Sequence, residues 1–228
     1  MSSSQPRALT AKQEHRLITY LDAQFLEISR GFKKRSQPDS PLATLDAYLA
    51  ACHPLMSLIL LIPPIDPSTA LRAELLLRYT GEVLDAIPCY PATRAVLPRL
   101  SSWLDELDKG WSAVLDAKIW DTETSRGRDV SRALPNMVFS PTIEDVPPGT
   151  PIYSSTPVSI TESTRLLSLL DSACDRIEEW LDTIAQSTNF RDIFFRRTYK
   201  IIGPMTPVSA WRPAASPHQS MLGVGVEA

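Results

Sequence analysis

Glycine, histidine and cysteine are all scarce in this 228-residue chain, which has 8, 3 and 3 of them. Few glycines disfavour a fold rich in tight hairpin turns, because those turns need residues that adopt positive φ. The three cysteines, Cys52, Cys89 and Cys174, show no CxxC or Cys/His spacing, so no zinc site is predicted. Cys52 and Cys174 fall on apolar helical stripes, which predicts buried thiols and favours a reducing compartment.

The motifs that usually mark an enzyme are also missing. The sequence contains no GxxxxGK[ST], GxGxxG, HExxH, GxSxG or EF-hand pattern. Its histidines are His15, His53 and His218, and His53 has no acid or nucleophile near it in the sequence. We therefore predict no catalytic residue, no metal ligand, no cofactor and no small-molecule substrate. A catalyst would require a concave polar pocket that converges on His53 or on paired carboxylates.

Long apolar runs are lacking too. The most apolar stretch is 55–65, and it contains Pro63 and Pro64. Since a membrane-spanning helix needs about 20 apolar residues, this run is too short to cross a bilayer. The first seven residues include no apolar segment of a secretory signal. We expect an intracellular protein, nuclear or cytoplasmic, that is not secreted, and membrane binding is the weakest of the expected partner classes.

The sequence is rich in apolar residues at helical spacing, most clearly between Pro91 and Trp120. One series steps by three and four residues, as in a helix that packs lengthwise on other helices: Leu97, Leu100, Leu104, Leu107, Trp111, Val114 and Lys118. This pattern predicts one long helix near 92–120, and the rest of the fold would be organised around it.

Similar stripes predict four more helices, near 10–35, 41–62, 67–87 and 161–187. Thr10 with Gln13, and Ser159 with Glu162, have the spacing of capping boxes. Ser40 and Asp66 are the predicted N-caps of the second and third helices, and Pro54 is expected to kink the second. The connections between the first four predicted helices in chain order are short. We therefore predict an all-α antiparallel helical bundle of about five to six helices.

Proline-rich segments set the predicted domain limits. Residues 1–9 form a predicted flexible leader, 10–202 a single helical domain, and 203–228 a flexible tail. A Pro/Ser/Thr-rich loop at 121–160 would interrupt the domain. Ser-Pro and Thr-Pro pairs begin at six residues: Ser40, Ser140, Thr150, Thr156, Thr206 and Ser216. They predict sites of proline-directed phosphorylation, although such pairs also arise by chance in proline-rich segments.

Charge is unevenly distributed along the chain. Residues 1–36 carry seven basic and three acidic side chains, and residues 190–228 carry five basic and two acidic ones. Residues 37–189, between these two ends, are strongly acidic. A basic patch is predicted at Arg30, Lys33, Lys34 and Arg35. These cations complement the negative end of the first helix, and the alternative is an anion-binding or nuclear-localisation patch.

The second basic segment, 190–202, is also aromatic and is the predicted partner contact. Its candidate residues are Phe190, Phe194, Phe195, Arg196, Arg197, Tyr199 and Lys200. Long apolar stripes without catalytic motifs favour a non-enzymatic helical adaptor, or a subunit of a larger intracellular protein complex, with other protein subunits as partners. The alternative is a nucleic-acid-associated factor that contacts DNA or RNA through its basic N- and C-terminal segments.

Overall fold

The computed structural model describes residues 7–129, 155–184 and 194–203. Within these ranges the chain is mostly helical, with six α-helices and one two-stranded sheet. In chain order the elements are α1 (Ala11–Lys33), α2 (Leu45–Leu60), α3 (Ser68–Ala86), α4 (Leu97–Leu115), β1 (Ile119–Asp121), β2 (Arg126–Arg128), α5 (Ile160–Asp182) and α6 (Arg196–Ile202). The all-α character that the apolar stripes predict is confirmed.

Both predicted capping boxes are present. At the start of α1, Thr10 Oγ1 accepts from the Gln13 amide at 3.3 Å, and the Gln13 side chain accepts from the Thr10 amide at 2.8 Å. Ser159 and Glu162 make the same reciprocal pair at the start of α5. Each box satisfies amide donors that have no partner within the helix, so these two helices begin where the sequence indicates.

The other two predicted N-caps are wrong. Thr44 caps α2 instead of Ser40, accepting from the Ala47 amide at 3.2 Å. Ser40 Oγ accepts from the Leu42 amide in a turn, because a short hydroxyl side chain serves a turn as well as a helix start. At α3 the N-cap position is Pro67, and Asp66 makes no side-chain cap there. Pro54 lies inside α2 as predicted.

The long predicted helix near 92–120 is wrong at both ends. A 3₁₀ turn at Arg94–Val96 precedes α4, and Pro98 lies in its first turn, where no amide donor is needed. At the other end Ala117 has φ 51°, which ends the helix. Lys118 therefore lies outside the helix, and the buried Trp120 belongs to strand β1. A three-residue strand is too short for its alternation to be visible in the sequence.

Helix α4 lies at the centre of the described core. Its predicted inner residues Leu100, Leu104, Leu107, Trp111 and Val114 are all buried. They bring α4 into contact with α2, α6 and both strands. The indole Nε1 of Trp111 donates to Thr80 Oγ1 of α3 at 2.9 Å, so the buried polar atom of this large side chain is satisfied.

Arg72 of α3 is also buried, at 1 % exposure, and it makes no ion pair among the described residues. Its guanidinium donates to Leu60 O at the end of α2 and to Lys118 O beyond α4, both at 2.8 Å. Burial lowers the pKa of Arg72 to about 10, which leaves it protonated at neutral pH. The buried guanidinium of Arg72 thus links the end of α2 and the segment after α4 to α3.

Candidate functional site

The predicted partner-contact segment packs against its own chain as α6, which contacts α4 and α5. Phe195 and Ile202 are 1 % and 0 % exposed and belong to the core. Phe194 is half-buried against the same cluster, and Phe190 lies outside the described residues. The described apolar residues of the segment therefore pack against the core and stabilise the fold.

A buried carboxylate from α4 holds the N-terminus of α6. Asp108 accepts from the amides of Arg197 and Thr198 at 3.3 and 3.0 Å, and from Thr198 Oγ1 at 2.8 Å. Its negative charge complements the positive end of the helix. Phe195, at the N-cap position, supplies no side-chain cap. Asp108 thus caps the N-terminus of α6 from another helix, in place of a residue at the N-cap position of α6 itself.

Two further contacts fix α6. Tyr199 donates its hydroxyl to Asp171 of α5 at 2.9 Å, and burial, together with nearby Cys174 and Asp171, raises its pKa. Arg197 contacts Asp105 at 2.8 Å, and this hydrogen bond raises the pKa of its guanidinium. Arg196 and Lys200 are exposed. The segment's role as a partner contact stays a prediction, and Arg197 is a third exposed cation among its described members.

The predicted basic patch is only partly directed to solvent. Arg30, Lys33 and Lys34 are exposed, whereas Arg35 is half-buried and contributes to the fold. The Arg35 guanidinium lies 4.3 Å from the Phe32 ring centroid, and it donates to Phe32 O at 3.1 Å. A surface concavity of about 670 Å³ adjoins the patch, between the last turns of α1 and residues 37–41.

The three exposed cations of the patch belong to a longer surface, which we call the outer face of α1. At 100° per residue, buried Leu21 and Phe25 define the inner side of this helix. The opposite side carries Lys12, Arg16, Thr19, Tyr20, Ala23, Leu26, Glu27, Arg30, Lys33 and Lys34, which are all exposed. The basic patch predicted from the sequence includes only the cations at the C-terminal end of this face, although the helical period alone extends the face to Lys12.

Contacts between α1 and neighbouring segments of the chain hold the outer face in place. Arg78 of α3 pairs with Asp22 of α1, and its guanidinium lies 4.4 Å from the centroid of the Phe25 ring. At the N-terminal end, the Leu9 amide donates to Ser68 Oγ at 2.9 Å, and Ser68 donates to Glu14 at 3.0 Å. These contacts orient α1, so its cations project from a fixed scaffold.

His53 pairs with an acid that is distant in the sequence. Its Nε2 lies 3.0 and 3.1 Å from the two carboxylate oxygens of Glu106, which joins α2 to α4. Both side chains are partly exposed, at 41 % and 25 %. An imidazole oriented by a carboxylate is one component of a hydrolytic triad. The hydrogen bonds of the described residues bring no hydroxyl or thiol to this pair.

No group of three or more His, Cys, Asp or Glu side chains that could hold a metal ion occurs in the described ranges. None of the described helices is both long enough and apolar enough to cross a membrane. The protein was also compared with protein-family models, curated proteins and solved structures, and nothing in the three comparisons matches this chain.

Proposed function

We propose that this protein is a non-enzymatic helical adaptor, or a subunit of a larger complex, that binds another protein through the outer face of α1. The observation that carries the proposal is the exposure of two large apolar side chains at the centre of this face. Tyr20 is 52 % and Leu26 is 50 % exposed, on either side of Ala23. Burying such residues against a partner is favourable in proportion to the apolar area covered.

The distribution of residues along the outer face supports this proposal. Apolar residues occupy its middle, and cations occupy its two ends, with Lys12 and Arg16 at one end and Arg30, Lys33 and Lys34 at the other. Interfaces between proteins typically have an apolar centre and a polar rim. Our proposal includes an antiparallel bundle of α1 to α4 as the scaffold that presents this face.

A reducing compartment, nuclear or cytoplasmic, completes the proposal, and its support is the set of thiols without a described disulfide. Phosphorylation at Ser-Pro and Thr-Pro pairs is also part of it. Ser40 is the best placed of these within the described residues, because it lines the same concavity as Arg30 and Lys34. A phosphate there would lie near two cations of the outer face.

The test is affinity purification followed by mass spectrometry on tagged wild-type protein and two variants. Leu26→Asp places a charge at the centre of the outer face. Leu61→Asp is the matched control, because Leu61 is 52 % exposed at the end of α2. We expect a partner that wild-type and Leu61→Asp protein recover and Leu26→Asp protein loses. Recovery unaffected by Leu26→Asp, or no stable partner at all, would contradict the proposal.

The five exposed cations of the outer face support a second candidate, binding to DNA or RNA. Phosphate contacts release condensed counterions, so affinity for nucleic acid falls steeply as salt rises. A gel-shift titration at increasing salt distinguishes the two functions. Tight binding that is lost between about 50 and 200 mM salt favours the nucleic-acid function. Binding too weak to detect at the lower salt concentration favours the adaptor.

A further inference from the structure

We propose that the partner of the outer face of α1 is an amphipathic helix with acidic residues at both ends. This inference rests on the proposed function and adds the chemistry of the partner. It is drawn from three features: a diagonal ridge of side chains on the face, the spacing of its cations, and the pairing of the exposed acidic residues of α1 with cations of the same chain.

The ridge is formed by Tyr20, Ala23 and Leu26, which are spaced by three residues. Residues at i, i+3 and i+6 form one of the two oblique rows that pack into the grooves of another helix. Ala23 at the middle of the row is small, so the axis of a partner helix can approach closely between the two larger side chains. A flat or irregular partner would leave the sides of Tyr20 and Leu26 exposed.

The cations lie at the ends of this ridge. Arg16 and Arg30 are separated by fourteen residues, or about 21 Å at the rise of an α-helix. Between them the exposed residues of the helix are the uncharged Thr19, Tyr20, Ala23 and Leu26, and two acids, Asp22 and Glu27. Asp22 pairs with Arg78 of α3. Glu27 lies 3.9 Å from Arg30, so it is paired within the helix.

This spacing favours an acidic helix over nucleic acid or a membrane. Nucleic acid presents a charge at every phosphate and would leave Ala23 and Leu26 opposite a charged backbone. An anionic membrane surface is bound by helices that insert their apolar side, and the apolar side of α1 is buried in the core. A partner helix that carries Asp or Glu residues about four turns apart pairs with the cations at both ends of the face and covers the ridge between them.

The described residues of a second copy of this chain do not provide that surface. An acidic exposed stripe runs along α5, through Ser168, Ser172, Asp175, Glu179 and Asp182. This stripe could pair with cations, but it offers no apolar side chain to cover Leu26 or Tyr20. We therefore take a different protein as the source of the complementary helix.

Fluorescence anisotropy on the full chain tests the inference with a labelled synthetic peptide. The probe is a helical peptide of about 21 residues, with Glu in its first and last turns and Leu and Ala between them. Its control has the same composition with the Glu residues moved to the centre. We expect the first peptide to bind, and the double variant Arg16→Glu/Arg30→Glu to weaken binding about tenfold, since each exposed pair contributes up to about fivefold.

The matched protein control is Arg99→Glu/Arg165→Glu, which changes the net charge equally at exposed residues of α4 and α5. It should bind like wild type at 150 mM salt, and circular dichroism should show that all variants remain helical. A peptide with Lys in place of Glu should bind Arg16→Glu/Arg30→Glu more tightly than wild type, because the complementary charges are then restored.

Several outcomes would overturn the inference: no binding of the acidic peptide, equal binding of the rearranged peptide, or equal weakening in the control variant. Tighter binding to duplex DNA or to anionic vesicles, lost in Arg16→Glu/Arg30→Glu, would assign the face to those ligands. A dimer in sedimentation that this variant dissociates would assign it to a second copy. If the peptide fails while Leu26→Asp still abolishes a recovered protein partner, the adaptor stands and the acidic helix is wrong.

Discussion

Arg72 shows how one side chain can connect distant parts of the chain. It lies in phase with the buried series of α3, four residues before Leu76 and seven before Tyr79, so the helical period already places it inside. The sequence does not reveal what it would meet there. Its two acceptors, Leu60 O and Lys118 O, are 12 and 46 residues away.

We predict that Arg72→Met lowers the free energy of unfolding by about 2–4 kcal/mol. The buried Leu60 O and the partly buried Lys118 O would lose their donor, and a buried carbonyl left without one costs about 1–3 kcal/mol. Loss of the buried charge offsets part of this cost. Urea denaturation followed by tryptophan fluorescence measures the change. Arg99→Met, at an exposed residue of α4, is the control and should shift stability by less than about 0.5 kcal/mol. Equal effects in the two variants would contradict this account of Arg72.

Asp108 gives a second prediction for a single residue. Asp108→Ala removes the acceptor of two amides and a hydroxyl at the start of α6, and the amide and hydroxyl of Thr198 would be left buried without an acceptor. We expect α6 to detach, with a loss of about 2–4 kcal/mol, the sum of the lost charged hydrogen bonds less relaxation. Trypsin cleavage after Arg196, Arg197 or Lys200 should become faster, as limited proteolysis would show.

The neighbouring Asp105→Ala is the control for this prediction, because Asp105 contacts Arg197 from a side chain that is 45 % exposed. Such exposed pairs contribute about 0.2–1 kcal/mol, so cleavage should change little. Rapid cleavage in Asp105→Ala, with protection retained in Asp108→Ala, would place the anchor of α6 on the exposed ion pair instead.

At the scale of elements, the hairpin β1–β2 depends on its close approach to α4. A Cβ atom at Gly127 would lie 2.9 Å from Ala113 Cβ and 2.9 Å from Lys118 Cβ. Neither neighbour is the far end of a flexible side chain, so the strand itself would have to move. Trp120, which pairs with Gly127 across the hairpin, is buried at 4 % exposure and would move with it.

We therefore predict that Gly127→Ala destabilises the protein by about 1–3 kcal/mol through overpacking. Hydrogen exchange should show faster exchange at the backbone amides of 119–128 while α1 is unaffected. Gly203→Ala is the matched control, because a Cβ there would meet nothing within 4 Å. A Gly127→Ala variant with the same free energy of unfolding as wild type would show that the hairpin can shift without loss of stability.

The elements also differ in how far local sequence specifies them. Capping boxes at Thr10 and Ser159 locate two helix starts, since both partners of each hydrogen bond lie within four residues. The end of α4 has no such signal. Lys118 and Ile119 fall at the spacing of the α4 series, and packing of Trp120 and Gly127 against α4 decides that the chain turns back there.

At the scale of the whole molecule, the thiols report on global unfolding. Cys52 and Cys174 are 2 % and 0 % exposed, Cys89 is exposed, and burial raises the pKa of Cys52 to about 12. We predict that an aromatic disulfide reagent modifies one thiol quickly in the native protein and all three in urea. The buried pair should react more than about 1,000-fold slower, because reaction requires unfolding.

Cys89→Ser should abolish the fast phase and leave the slow one unchanged. Fast labelling of Cys52 or Cys174 in native protein would show that the core opens locally, without global unfolding. The experiment also gives the free energy of opening against which the Arg72, Asp108 and Gly127 variants are compared.

Helical character, the two capping boxes, the buried thiols at Cys52 and Cys174, and the cations near the end of α1 were determined by the sequence alone. Each depends on residues close in the chain, or on a period of 3.6 residues, so no knowledge of distant contacts is required. The tertiary structure alone decided that Asp108 anchors α6, that Arg72 joins α2 to the segment after α4, and that Glu106 pairs with His53. These partners lie between 12 and 90 residues apart, and only packing of the helices brings them within hydrogen-bonding distance.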